Sequence, residues 1–151
     1  ITLAKRMGLD ELTILRIERA CILHDISLIS YPHHLQNGLV NYMSENERKN
    51  FERHAELSAT IVEKIDDFAD IAEIIRCHHE NVDGTGYLGI RGEVLSLEAK
   101  LIRICDYYDE EETYNKSAHG STLAYMKMFR GTWFDEMCFD EFFKMMSSLK
   151  K

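Results

Sequence analysis

Apolar residues recur along this chain at intervals of three and four, and strict alternation is almost absent, so the pattern predicts helices and no sheet. A short first helix ends at Gly8, a residue suited to a helix C-cap. A second spans about Asp10 to Asp25, with a stripe of Ile14, Ile17 and Cys21 that runs on into His24 and Asp25. Residues 26–43 carry Pro32 and the turn pair Asn37-Gly38 and read as a loop with at most a short helical turn. Ser44 to Glu47 reads as a capping box that opens a long helix to about Ile65. Another helix covers 69–79, a further one 95–110 after a glycine-rich loop, and two shorter ones end near Gly131 and Ser148. The expected fold class is all-α, a bundle of six to seven helices without internal repeats.

Metal-ligand residue types fall on the buried faces of these helices. In 69–79 the stripe Ile71, Ile74, Ile75 continues as His78 and His79. His54 lies on the edge of the stripe through Ala55, Ser58, Val62 and Ile65, and Asp106 follows Ala99 and Ile102 inward while Lys100 and Arg103 point elsewhere. A lone inward histidine is ordinarily a core residue with a hydrogen-bond partner. Four imidazoles and two carboxylates turned into one core would be costly to desolvate without a partner, and a metal is the economical one. Nitrogen and oxygen donors without thiolate suit iron, manganese or zinc. Six donors exceed one tetrahedral ion, which points to a two-metal centre with a bridging carboxylate.

Composition narrows the setting. The chain has 151 residues, enough for one domain with a sizeable core. A net charge of −8 argues against a nucleic-acid backbone binder, so no DNA partner is expected. No apolar run is long enough to span a membrane and no signal-peptide pattern opens the chain, which predicts a cytoplasmic domain. Cys21, Cys77, Cys105 and Cys138 form no CxxC pair and read as reduced core residues. Because the sequence enters in mid-helix at Ile1, residues 1–151 are expected to be a single domain cut from a longer multidomain signalling protein.

The motifs "LHDIS" at 23–27, His54, "HHENVDGTGY" at 78–87 and "ICDYYDE" at 104–110 resemble, in order and spacing, the HD-GYP family of HD-domain metal-dependent phosphohydrolases. The resemblance runs from about residue 9 to 145, and the long HHExxDGxGY element is its most specific part. It implies hydrolysis of cyclic di-GMP or a related cyclic dinucleotide by a hydroxide shared between metal ions. His24, Asp25, His54, His78, His79 and Asp106 would be ligands, with Asp25 bridging and the His24-Asp25 pair at the catalytic centre. Two or three transition-metal ions are implied, iron or manganese ahead of zinc or nickel. A further ligand histidine is implied on the helix preceding the HD helix, upstream of Ile1. Gly86, Tyr87 and Tyr114 fall on the substrate side, Tyr87 reading equally as a packed aromatic. Asp83, Gly84 and Gly86 would shape the loop through an Asx turn and positive φ, and Glu80 reads as a surface charge rather than an orienter of the ligands. A GGDEF-type cyclase partner and a homodimer are further implied associations.

The departures from the family pattern fall on the substrate side. The lysine and glycine of HDIGK are Leu28 and Ser27, the arginine usual after HHE is Asn81, and the proline of GYP is Leu88. Asn37 stands where a loop lysine is usual, and "EEETYNKS" replaces a basic RPYR-type segment. Metal binding should persist while affinity for the dinucleotide falls. The competing expectation is therefore a degenerate domain that senses a nucleotide or binds a partner without turnover. His33 and His34 sit in the proline loop and read as solvent-facing; the acidic run 109–112 reads as a solvated helix end, and the aromatics from Trp133 to Phe143 as core.

Overall fold

Asp10 accepts the backbone N–H of Thr13 at 3.0 Å and so starts the helix that carries the HD pair. The computed structural model describes residues 1–36, 43–113 and 115–148 and contains eight α-helices among them. They are α1 (Thr2–Arg6), α2 (Glu11–Leu23), α3 (Glu45–Glu52), α4 (His54–Val62), α5 (Ala72–Arg76), α6 (Leu97–Thr113), α7 (His119–Lys127) and α8 (Glu136–Ser147). Short 3₁₀ segments at Ile26–Ser30 and Asp66–Ile71 join them. No strand occurs among the described residues, so the all-α bundle of about six to seven helices stands, the eighth arising because the predicted helix 44–65 is divided in two. The turn pair Asn37-Gly38 lies outside the described residues.

The predicted helix 44–65 starts where expected, with Ser44 and Glu47 in a reciprocal capping box. It breaks at Arg53. There the Phe51 carbonyl accepts the Nδ1–H of His54 at 2.7 Å, and Arg53 N–H closes back on Asn50 at 3.3 Å, an i to i−3 bond that tightens the turn. The break turns His54 fully inward rather than along the edge of its stripe, and leaves Ile65 exposed beyond the end of α4. The predicted helix 69–79 is likewise a 3₁₀ segment followed by the single turn of α5. Its stripe survives, because Ile71, Ile74, Ile75, His78 and His79 are all buried.

The main core joins Leu3, Ile17 and Ala20 of the first two helices to Ala59 and Val62 of α4, the α5 isoleucines, Ala99, Ile102 and Ile104 of α6, and Phe134, Phe139 and Phe142 around α8. The C-terminal aromatics are thus core, as the pattern suggests. A smaller cluster, Leu28, Tyr31, Leu35 and Phe51, packs the turn after the HD pair against α3. The Cys21 position on the α2 stripe is a correction: Cys21 is exposed, and Ala20 takes the buried place beside Ile17. All four cysteines are free. No helix among the described residues is long and apolar enough to cross a membrane.

Candidate metal centre

The residues that converge come from four places in the chain. His24 is the C-cap of α2 and Asp25 begins the following 3₁₀ turn; His54 opens α4; His78 and His79 follow α5; Asp106 stands in the middle of α6. Three of the histidines are held alike. Nδ1 of His24, His54 and His78 lies 2.9, 2.7 and 2.6 Å from the carbonyl three residues earlier, of Cys21, Phe51 and Ile75. A carbonyl only accepts, so Nδ1 carries the proton and Nε2 is the nitrogen presented to the site.

Asp25 lies between two groups of these nitrogens. Its Oδ1 is 3.2 Å from His54 Nε2 and 3.7 Å from His78 Nε2, and its Oδ2 is 3.4 Å from His24 Nε2. Asp106 reaches His24 Nε2 through Oδ1 at 3.5 Å and His79 Nδ1 through Oδ2 at 3.8 Å. One donor atom from each of Asp25, His54, His78 and His79 lies within 4.8 Å of the others. His54 Nε2 and His79 Nε2 stand 3.1 Å apart. That is close to the edge length, about 3 Å, between adjacent ligands on one ion with bonds of about 2.1 Å.

Three buried atoms here have no hydrogen bond: Asp25 Oδ1, His78 Nε2 and Asp106 Oδ2. Buried acceptors are rarely left so, and a cation is the partner this donor chemistry fits. Burial pushes His78 down to about 4 and His79 well below its ordinary range, so both are neutral lone-pair donors at pH 7. His24 differs. Burial pulls it down, but its bond to Asp106 and the charges of Asp25 and Asp106 outweigh that and raise it to about 9. A proton on His24 thus compensates the two carboxylates when nothing else does.

A cavity of about 150 Å³ opens onto this cluster, lined by His24, Asp25, Leu28, Gln36, Phe51, His79, Asp106, Asp109 and Glu110. Leu28 forms part of its wall, and no Lys or Arg is among these described lining residues. Glu110 corrects the reading of the acidic run as wholly solvated: it is half-buried, one donor atom lies within 4.8 Å of donors on His79 and Asp106, and burial followed by the Asp106 charge raises its carboxyl to about 8. Its position four residues after Asp106, one helical turn, is the signal in the sequence that reveals it.

The loop after the histidine pair is set by a side chain read as a surface charge. Glu80 is 2% exposed, and its two carboxylate oxygens accept the N–H groups of Leu88 and Ile90, each at 2.7 Å. Gly86 lies against it: a Cβ there would come within 2.5 Å of the Glu80 Cα, so close packing, not positive φ, demands glycine. Gly84 has φ +82°, and Asp83 makes the expected Asx turn by accepting Thr85 N–H at 3.0 Å. The loop is fastened outward by Asp83 N–H to the Thr132 carbonyl at 2.8 Å. Tyr87 packs on His79 with ring centroids 4.6 Å apart. Asn81 is buried and accepts from Arg103 Nε at 3.0 Å; Arg103 is itself buried. Ser27 donates to the His54 carbonyl at 2.9 Å, tying the HD turn to the start of α4. His33 and His34 are exposed, and His34 pairs with Glu47 at 3.1 Å. Tyr114 and Asn37 lie outside the described residues.

An all-helical bundle that turns histidines and aspartates from separate helices into one cavity defines a class of proteins, and comparison assigns the chain within it. A profile of the family described as HD domain matches residues 1–137. The chain belongs to the HD-domain family. It is 31% identical over 146 residues to the cyclic di-GMP phosphodiesterase response regulator RpfG of Xanthomonas campestris, covering 91% of this chain and 38% of that protein. It is 28% identical over 145 residues to the 3'3'-cGAMP-specific phosphodiesterase 3 of Vibrio cholerae, covering 91% of this chain and 31% of that one. The chain therefore spans about a third of the length of these curated relatives. Bd1817, an HDG"Y"P protein from Bdellovibrio bacteriovorus, superposes with a TM-score of 0.84 at 19% identity, over 97% of this chain and 48% of the other, and shares the fold.

Proposed function

We propose that this chain is a metal-dependent phosphodiesterase that hydrolyses cyclic di-GMP or a related cyclic dinucleotide. The observation that carries the reading is the trio of buried acceptors without hydrogen bonds, Asp25 Oδ1, His78 Nε2 and Asp106 Oδ2, within one site. The activities for which the relatives are named support the choice of substrate. His54, His78, His79 and Asp25 Oδ1 would hold one ion, and His24, Asp106 and Asp25 Oδ2 a second, with Asp25 as the bridge. The donor set, nitrogen and carboxylate oxygen, suits iron or manganese first. Divalent ions bound there supply Lewis acidity toward phosphoryl oxygens and lower the pKa of water.

The chain's own groups then orient and exclude. The backbone carbonyls of Cys21, Phe51 and Ile75 fix which imidazole nitrogen faces the site. Phe51 and Tyr87 flank His54 and His79 and keep that side of the cluster dry. At about 150 Å³ the cleft suits a phosphodiester rather than a whole dinucleotide, whose bases would rest outside it. The test is metal analysis of the full-length protein together with turnover of cyclic di-GMP and 3'3'-cGAMP after anaerobic loading with iron or manganese. Hydrolysis that Asp25→Ala and His79→Ala abolish is the expected result. No turnover of either substrate by metal-replete protein would reject the reading.

One observation favours a second reading, a nucleotide sensor or partner-binding module without turnover. The cavity wall offers Leu28, Asp109 and Glu110 to an incoming phosphate, and among the described lining residues no fixed cation. Dinucleotide binding with no product would select it. The exposed Leu12, Leu15, Ile22 and Ile29 on and after α2 support a protein contact, a homodimer or a cyclase, which sedimentation of the full-length protein with and without a GGDEF-type partner would test.

A further inference from the structure

Resting on the metal centre proposed above, we infer that Glu110 is itself a metal ligand, donating a carboxylate oxygen on the Asp106 side of the site. The two acids stand one turn apart on α6 and so project from the same face of one rigid helix. Donor atoms of His79, Asp106 and Glu110 all lie within 4.8 Å of one another. Ligands on a single ion with bonds of 2.0–2.2 Å are separated by about 3 to 4.4 Å, so a small side-chain adjustment brings the Asp106 and Glu110 oxygens onto one cation, beside the ion that His79 would hold.

Two further observations point to a cation there. Asp106 Oδ2, the oxygen nearer His79, is buried and accepts no hydrogen bond. The Glu110 carboxylate makes no hydrogen bond or ion pair with any described residue, although it is half-buried and lines the same cavity. Two neighbouring carboxylates with no ion pair to Lys or Arg repel each other unless a positive ion lies between them. The adjacent Asp109 also lines the cavity, but it is exposed, its carboxylate accepts from the Thr113 hydroxyl at 3.5 Å and it belongs to no such donor group. With Glu110 included, the His24 side of the centre offers Asp25 Oδ2, Asp106, Glu110 and one imidazole. This donor set is richer in hard oxygen and favours manganese or ferrous iron over zinc.

Manganese alone is the probe. Mn²⁺ binding to the intact chain is titrated, with bound metal counted by mass spectrometry, for wild type, Glu110→Gln, Glu110→Ala and Asp109→Asn. Both Glu110 variants should weaken the weaker-binding ion at least tenfold or remove one ion per chain, while Asp109→Asn, which removes the same charge one residue away, should change affinity less than threefold. Glu110→Gln within threefold of wild type, or an equal effect of Asp109→Asn, would overturn the assignment and leave the metal centre standing. A wild type that binds no metal would reject the centre and this ligand together. A crystal structure of Mn²⁺-loaded wild type gives a check independent of variant folding: a Glu110 oxygen at about 2.0–2.2 Å from an ion supports the inference, and one held beyond hydrogen-bond range of every ion refutes it.

Discussion

Replacing Glu80 by glutamine should cost this protein more than its position in a glycine-rich loop suggests. Both carboxylate oxygens accept backbone N–H groups, from Leu88 and Ile90, and the side chain is 2% exposed. A hydrogen bond to a charged group is worth about 1.5–3 kcal/mol, and glutamine keeps one acceptor while turning an NH₂ toward the other donor. The expected loss is therefore about 2–4 kcal/mol, which for a chain of this size lowers Tm by roughly 5–15 °C. Urea unfolding of the metal-free protein reads it directly, the midpoint falling with little change in slope. Metal affinity should fall too, because the loop that Glu80 closes carries Tyr87 against His79. An unfolding midpoint within about 0.5 kcal/mol of wild type would refute the view that this carboxylate holds the loop.

Other perturbations probe the same framework. Gly86→Ala places a Cβ within 2.5 Å of the Glu80 Cα and should destabilise by about 1–3 kcal/mol, measured by the same unfolding curve. Ser58→Ala removes the oxygen that accepts the buried Ser27 N–H at 3.1 Å and should cost about 1–3 kcal/mol, whereas Thr60→Ala on the exposed face of α4 should stay within about 0.5. The metal-free protein should be most stable near pH 6.5. His78, held down to about 4, contributes fully above its ordinary 6.5 and loses that contribution as pH falls through 4; His24, raised to about 9, contributes fully below 6.5 and loses it as pH rises through 9. Thermal unfolding across pH 4–10 checks both limbs. A flat alkaline limb would contradict the His24 assignment. Metal affinity should rise with pH through about 8 to 9, since binding displaces protons from His24 and Glu110, and calorimetry in buffers of different ionisation enthalpy counts them.

Helix type and rough order were legible because periodicity reports which face is buried. It reports less well whether the backbone stays α-helical along that face. The stripe through Ile71, Ile74, Ile75, His78 and His79 is buried throughout, yet only Ala72–Arg76 is regular helix. A 3₁₀ turn preserves i+3 neighbours, so the pattern looks the same in either conformation. The break at Arg53 was hidden for a related reason: it depends on the His54 ring taking the Phe51 carbonyl, a side-chain choice that leaves no mark on hydrophobic spacing. Cys21 shows the opposite failure. It occupies a stripe position on α2, but Ala20 faces the core while Cys21 is exposed at the rim of a small cavity that it lines with Ile17, Leu101 and Cys105.

At the site, the fold brings His24, Asp25, His54, His78, His79 and Asp106 within a few ångströms of one another, because each is an end or a face of a helix whose packing is set by the apolar pattern. What spacing missed were two acids judged by their neighbours. Glu80 follows two histidines and precedes a polar loop, so it looks exposed; only the return of the chain at Leu88 and Ile90 buries it. Glu110 sits in a run of four acids, yet the turn that sends Asp106 inward must send Glu110 after it. The consequence is energetic as well as chemical. A metal-free site that packs Asp25, Asp106 and Glu110 around one cleft, with His24 protonated as the compensating charge and the Glu110 carboxyl raised to about 8, holds its acids together at a cost. A cation that relieves their repulsion and satisfies the orphaned acceptors binds the folded state selectively, so fold stability and metal occupancy should rise together.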